Sequence, residues 1–123
     1  MRFRSGITGE LALWVGVEFT DADRRSLDVA WRLADPAAHK KFEYARLFLV
    51  TFTPQPQRAY LELIDGRAGT SLRLPEDLPA GDYAIDVDAY GSASWGDGKL
   101  DARGRSVVFG VAAPQGIPVA TDL

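Results

Sequence analysis

Hydrophobic and polar residues alternate with a period of two over several short stretches of the chain. Residues 11–20 carry an apolar side chain at every second position, at Leu11, Leu13, Val15, Val17 and Phe19. Because successive side chains of a strand point to opposite faces, this pattern predicts a strand with one buried face. Residues 27–34 alternate in the same way, but their apolar positions also share one face of a helix that Thr20 or Asp21 could cap. The alternation favours a strand, and the choice between strand and helix over 21–34 stays open.

Further short apolar stretches lie between turn signals, which is typical of β-sandwiches and β-barrels. The additional predicted strands cover residues 3–8, 44–53, 58–65, 70–74, 82–90 and 105–111. Residues 44–53 are rich in aromatic and β-branched types on both faces, as in a central strand. If the domain does not cover Leu47 and Leu49, these side chains form an interface patch. Residues 58–65 and 70–74 predict a hairpin across the intervening glycines.

Length and composition predict one domain over residues 1–123. The chain is 46% hydrophobic and 25% charged, which are ordinary values for a globular domain. It has no cysteine and one histidine, His39, so disulfides, thiol chemistry and a multi-histidine metal centre are excluded. Asp35 and Pro36 predict the start of a short helical turn that runs to Lys41. Residues 112–123, with their prolines and glycine, predict an irregular tail.

The charge balance disfavours nucleic acid as a partner. There are 14 basic and 17 acidic residues, and the sequence pI is near 5.1. Nucleic-acid binders normally carry a basic stripe, and here the basic residues are dispersed. The apolar run 11–17 is far shorter than the ~20 residues of a membrane span, and no cleavage site follows it. We therefore expect no membrane insertion, and either a cytoplasmic location or export within an assembly.

The segment Leu78 to Val87 (LPAGDYAIDV) is the most specific local motif. It resembles the L-x-P-G-x-Y-x-V-x-V run at the start of the penultimate strand of fibronectin type III and related immunoglobulin-like domains. The resemblance implies an all-β, immunoglobulin-like antiparallel β-sandwich of about seven to nine strands. It also implies that Tyr83 forms a tyrosine corner and that Trp31 is buried. Ala80 separates Pro79 from Gly81, whereas fibronectin domains place proline directly before glycine, and the resemblance carries fold but no activity.

Asp86 and Asp88 are the first candidate site residues, because they share one face of a strand. Two close carboxylates could bind a hard cation, and Asp97 lies further along the same acidic run. Tyr90 stands where a calcium loop needs an oxygen ligand, however, and flanking helices are absent from the prediction. We therefore expect a solvated outer face here, with no metal or other cofactor.

The glycine-rich loop that contains Trp95 is the second candidate site. A tryptophan at a hairpin tip is a frequent anchor for a partner, although it could instead fold back over the core. The sequence contains no nucleophile motif or phosphate-binding loop, and His39 lies beside two lysines, so an enzyme is not expected. The prediction is a non-enzymatic protein-binding or assembly module, with Trp95, Tyr90, Asp97, Asp86 and Asp88 as partner-binding residues. The alternatives are an inhibitor or immunity-type protein that binds a basic enzyme, and a carbohydrate-binding module that stacks sugar on Trp95 and Tyr90.

Overall fold

The computed structural model describes residues 11–37, 42–65, 67–91 and 100–112. These residues contain eight β-strands and no helix. The strands are β1 (Leu11–Phe19), β2 (Ser26–Leu33), β3 (Tyr44–Thr51), β4 (Gln57–Asp65), β5 (Gly69–Arg73), β6 (Gly81–Tyr90), β7 (Ala102–Arg105) and β8 (Phe109–Val111). The all-β prediction is confirmed, and the region 26–33 is a strand rather than a helix.

The strands follow one another in the order β4-β3-β6-β7-β1-β2-β5, with β8 also paired to β6. Every pairing is antiparallel except that of β1 with β7, which is parallel and joins Leu11 to Ala102 and Ala12 to Arg103. β3 lies between β4 and β6, so the prediction of a central strand is confirmed. The parallel pairing connects the group β4-β3-β6-β7 with the group β1-β2-β5.

One hydrophobic core collects side chains from all eight strands. Leu27 and Val29 of β2 belong to it together with Ile85 and Val87 of β6, although three steps of the strand order separate these strands. The sheet must therefore curve so that its inner face surrounds the core. The fully buried side chains include Leu27, Leu47, Ile64, Leu74, Ile85, Val29, Val50 and Val87. Leu47 and Leu49 are buried in this way, so they do not form the exposed patch that was considered from the sequence.

Two strand predictions are wrong in their pairing or extent. β4 does not form a hairpin with β5, because β4 pairs with β3 and β5 pairs with β2. The turn residues between them allow a hairpin, but Leu72 of β5 lies opposite Leu27 and joins the core there. The predicted strand 105–111 is two strands, β7 and β8, and both pair with β6.

Several sequence predictions fall outside the described residues. These are the strand at 3–8, the end of the helical turn at Lys41, and the tail beyond Ala112. Pro36, the predicted start of that helical turn, lies in a turn that is not helical. His39 also lies outside the described residues.

A buried arginine holds the loop that follows β5. Arg25 is 5% exposed, and its guanidinium donates to the carbonyl oxygens of Pro75 (3.2 Å) and Ala112 (3.0 Å). The carboxylate of Asp21 accepts the backbone N–H groups of Arg25 and Ser26, both at 3.0 Å. The hydrogen bond from Ser26 is the largest cause that lowers the pKa of Asp21. Local and long-range bonds together fix the connection between β1 and β2.

Tyr83 links the start of β6 to the segment before it. Its ring is buried, and its hydroxyl donates to the carbonyl oxygen of Pro79 at 2.6 Å. Gly81, between these two residues, has a φ of +156°, which suits glycine and keeps the chain close to the Tyr83 ring. The burial of Trp31, which the resemblance implied, is also observed.

Removal of the Tyr83 hydroxyl tests this link. We expect Tyr83→Phe to lower the free energy of unfolding by about 1 kcal/mol, because the Pro79 carbonyl loses its donor while the ring stays packed. Urea denaturation followed by tryptophan fluorescence measures the change. Tyr60→Phe serves as the control, since Tyr60 is exposed and its hydroxyl makes no hydrogen bond within the described part of the chain. Equal stability of the two variants would contradict the prediction.

Candidate functional site

Strand β6 is buried on both faces, although only one of them faces the core. Tyr83, Ile85 and Val87 point into the core. Asp86 and Asp88 point to the outer face, yet each is only 3% exposed. Two carboxylates so deeply covered need charged partners, because an uncompensated buried charge is strongly unfavourable.

Asp86 binds two arginines, one from β7 and one from β4. Arg105 of β7 lies opposite Asp86 and donates from Nε to Oδ1 at 2.7 Å and from Nη2 to Oδ2 at 3.1 Å. Nε of Arg58, on β4, lies 3.1 Å from Oδ2 of Asp86. The first pair is a two-point contact, which is the geometry in which a guanidinium binds a carboxylate most strongly.

Asp88 repeats this arrangement two residues further along β6. Arg103 lies opposite it and donates from Nε to Oδ1 at 2.9 Å and from Nη2 to Oδ2 at 3.0 Å. Arg58 also donates from Nη2 to Oδ1 of Asp88 at 2.7 Å. Arg58 therefore connects the two carboxylates, and it crosses over β3 from β4 to do so.

The ion pairs shift the proton affinities of the groups involved. Burial raises the pKa of Asp88, but the hydrogen bonds from Arg103 and Arg58 outweigh it, and the pKa lies below its usual value. The hydrogen bond to Asp86 raises the pKa of Arg105. The carboxylate of Asp88 is therefore ionised at neutral pH.

Aromatic rings lie beneath several of these guanidinium groups. The Arg58 guanidinium lies 3.8 Å from the centre of the Phe48 ring, which makes edge-on contact with Tyr60. Arg46, opposite Asp88 on β3, lies 5.5 Å from the centre of the Tyr90 ring. A cation over an aromatic face gains electrostatic attraction, and the ring also restricts the side chain.

We call these residues the arginine cluster: Arg46, Arg58, Arg103 and Arg105 with Asp86 and Asp88. Three of the four guanidinium groups bind the two carboxylates directly, and Arg46 lies opposite Asp88 on β3. Asp82 and Asp65 lie on the same face but towards its ends. The guanidinium groups of Arg58, Arg103 and Arg105 are partly exposed and lie above the covered carboxylates.

The cluster reaches an edge of the sheet. Arg58 and Tyr60 project from β4, the first strand of the order, and within the described ranges no strand pairs with its outer side. Tyr60 is 56% exposed, and Leu63 further along β4 is exposed as well. An unpaired edge next to aromatic and arginine side chains can accept another chain by strand addition.

The structure describes some of the site residues predicted from the sequence and not others. Asp86 and Asp88 share a face as predicted, but the prediction of a solvated face is wrong, because arginines from β4 and β7 cover them. Tyr90 is buried next to Arg46 and does not offer a free ring for stacking. Trp95 and Asp97 lie outside the described residues. Among the residues that the structure describes, no group of three or more potential ligands could hold a metal ion.

The arginines that bind Asp86 and Asp88 lie far from these aspartates in the sequence, so the contacts were not predicted. The pattern Arg103-x-Arg105 has the same period as Asp86-x-Asp88, and two such patterns on neighbouring strands bring opposite charges together. This signal was available in the sequence, although it depends on knowing the register of β6 and β7. Arg58 has no comparable signal, since it arrives from a strand that is not adjacent to β6.

The chain is thus an all-β protein of eight described strands with a charged, partly aromatic outer face. It matches no model of a known protein family, and a comparison with curated proteins likewise finds no match. In the described part of the chain, no helix has the length and apolar character needed to cross a membrane. Function has to be inferred from the side chains themselves.

Proposed function

We propose that the chain is a non-enzymatic protein-binding module whose arginine cluster binds an acidic segment of a partner protein. The observation that carries this proposal is the fixed array of guanidinium groups over two buried carboxylates. Arginine and aromatic residues are enriched at the energetic centres of protein interfaces. Here they occur together, and Arg58 lies between the Phe48 ring and both aspartates.

Stability alone does not account for such a network. A buried ion pair rarely stabilises a fold more than apolar residues of similar volume, because both charges lose hydration. What the network does provide is fixed geometry, since Arg58, Arg103 and Arg105 are each held by two or more contacts before a partner arrives. Side chains that are already ordered lose less entropy on binding.

The partly exposed guanidinium groups select the chemistry of the partner. Glutamate, aspartate and a chain-terminal carboxylate can each bind a guanidinium through two hydrogen bonds. An extended segment placed along β4 would also gain main-chain hydrogen bonds from the open edge. The same charge argues against a basic enzyme as the partner of this face, which was an alternative from the sequence.

The fold that we propose for this module is an immunoglobulin-like β-sandwich. Two observations support it: the division of the strands into β1-β2-β5 and β4-β3-β6-β7, and the Tyr83 hydroxyl bonded to the Pro79 carbonyl. In such sandwiches the outer faces and edges of the two sheets are available to partners. The arginine cluster occupies the outer face of the four-strand group.

A synthetic peptide of alternating glutamate and threonine tests the proposed function. We expect it to shift the amide NMR signals of β4 and β7, and we expect Arg58→Ala to weaken binding at least about tenfold. Tyr60→Ser is a second variant that keeps all the ion pairs, and it should also weaken binding. Affinity should fall as salt concentration rises, because exposed charges are screened.

Arg32→Ala is the matched control for this experiment. Arg32 also lies over an exposed aromatic ring, that of Trp14, but on the outer face of the other strand group. We expect this variant to bind the peptide as the original chain does. Binding that is unaffected by Arg58→Ala and Tyr60→Ser, or equal binding of a lysine–threonine peptide, would overturn the proposal.

A further inference from the structure

A second surface, on the outer face of β1, β2 and β5, has the form of a small trough. The register of the three strands places residues in cross-strand rows. One row holds Trp14 and Arg32, and the row four residues further along β1 holds Glu18, Asp28 and Ser71. The row between them holds only small residues, which are Gly16, Ala30 and Gly69.

The absence of large side chains in the middle row leaves a cavity. Its volume is about 240 Å³, and its lining consists of Trp14, Gly16, Val17, Glu18, Asp28 and Ala30. Four residues of strand separate the two outer rows, which is about 13 Å. The trough is therefore large enough for a single ring-shaped ligand with its substituents.

One wall of the trough is aromatic. Trp14 is 47% exposed, and its six-membered ring leans over Gly16, where an added β-carbon would lie 2.9 Å from Cζ2 and would overlap Cη2. Glycine at position 16 is therefore required for this placement of the indole. The guanidinium of Arg32 lies 4.3 Å from the centre of the Trp14 ring and restrains it.

The opposite wall consists of hydrogen-bond acceptors. Glu18 and Asp28 lie directly opposite each other on β1 and β2, an arrangement that is unfavourable for two like charges. The Ser71 hydroxyl donates to Oδ1 of Asp28 at 2.7 Å. Within the described residues, neither carboxylate has a cationic partner, so their remaining oxygens are available to O–H donors.

We infer that this trough is a binding site for a neutral sugar ring. A pyranose has an apolar face of C–H groups that can pack on the part of the Trp14 indole that lines the cavity, and its hydroxyls can donate to Glu18 and Asp28. An anionic ligand would be repelled by the two carboxylates. A cationic ligand would use the carboxylates alone and would leave the aromatic wall without a role, because Arg32 already places a cation beside the indole. This site is separate from the arginine cluster and does not depend on the proposed protein partner.

Titration with soluble oligosaccharides tests this inference. The probes are cellohexaose, maltohexaose and chitohexaose at millimolar concentrations, and the readout is the amide NMR spectrum. We expect at least one of them to shift the signals of residues 14–18 and 28–30. Affinity in about the millimolar to micromolar range is expected for one ring subsite.

Two variants separate recognition from folding. Trp14→Ala removes the aromatic wall, and we expect it to reduce affinity at least about tenfold. Gly16→Val retains every polar group but fills the floor of the trough and displaces the indole, so it should also reduce affinity. Tyr60→Ser, on the other face, is the control and should bind as the original chain does.

Two results would overturn the inference. One is the absence of any shift in residues 14–18 and 28–30 with all three oligosaccharides, while the variants keep the folded spectrum. The other is a shift caused only by a lysine tetrapeptide and unaffected by Trp14→Ala, which would identify the carboxylate pair as a cation site. Binding of the glutamate–threonine peptide has no bearing on either result, so this test is independent of the proposed function.

Discussion

Replacing Asp88 with asparagine should lower the free energy of unfolding by about 3 kcal/mol. The side chain is 3% exposed and accepts hydrogen bonds from Arg58 and from both donating nitrogens of Arg103. Asparagine keeps the shape but removes the negative charge, so the two arginines then repel each other across a covered amide. We place the effect near the lower end of the range for broken buried pairs, because both arginines can turn towards solvent.

Asp82→Asn is the matched control for this prediction. Asp82 lies on the same strand and the same face as Asp88, but it is exposed. Its replacement should change the free energy of unfolding by less than about 0.5 kcal/mol. Urea denaturation of the two variants gives the comparison, and similar stabilities would contradict the role assigned to the arginine cluster.

The same substitution predicts a change in pH dependence. The pKa of Asp88 in the folded chain is lower than in the unfolded chain, so its contribution to stability is complete above the unfolded pKa. That contribution is lost as pH falls through the folded pKa, where the carboxylate gains a proton. The unfolding free energies of the original chain and of Asp88→Asn should therefore converge below about pH 4. A constant difference between them from pH 7 to pH 3 would show that the charge is not responsible.

Gly104→Ala should destabilise the chain by about 2–3 kcal/mol, the usual cost of forcing extra atoms into a packed site. A β-carbon at this position would lie 2.8 Å from the carbonyl carbon and the β-carbon of Leu13, and it would overlap the Leu13 carbonyl oxygen. The obstacle is mainly backbone, which cannot rotate away as a side chain can. The strand β7 would have to move away from β1, at the one parallel pairing in the described sheet.

Gly110→Ala provides the control for that substitution. Gly110 lies in β8, and the nearest atom to an added β-carbon is Oδ1 of Asp82 at 3.8 Å, an ordinary contact. We expect its free energy of unfolding to stay within about 0.5 kcal/mol of the original value. Thermal unfolding followed by circular dichroism measures both variants. If Gly104→Ala were no less stable than Gly110→Ala, the close approach of β7 to β1 would be disproved.

The candidate site was only partly visible in the sequence. The two-residue period placed Asp86 and Asp88 on one face, and this is correct. It could not show that Arg103 and Arg105 lie opposite them, because the period within a strand does not fix its register with a neighbouring strand. Arg58 lies 30 residues before Asp88 and reaches it across another strand, so no local pattern predicts that contact.

The outer face of β1 and β2 could also be predicted only in part from the sequence. The sequence predicted that Trp14, Gly16 and Glu18 lie on the opposite face from the core side chains of β1. That they face Arg32, Ala30 and Asp28 in matching rows depends on the antiparallel register of β1 with β2. In the sequence Trp95 is the more conspicuous tryptophan, because it lies among glycines, whereas Trp14 lies within an alternating strand pattern.

The amino-acid sequence by itself determined that this is an all-β chain and which face of each strand is apolar. Alternation acts through the geometry of a single strand, and the turn at Pro79 and Gly81 is set by neighbouring residues, so both are local properties. The tertiary structure alone decided which strands are neighbours. In the folded chain β5 pairs with β2 and does not form the predicted hairpin with β4. Arginines cover the Asp86 and Asp88 carboxylates. Pairing of distant strands depends on the packing of the whole core, and the short segments that make up each strand do not contain that information.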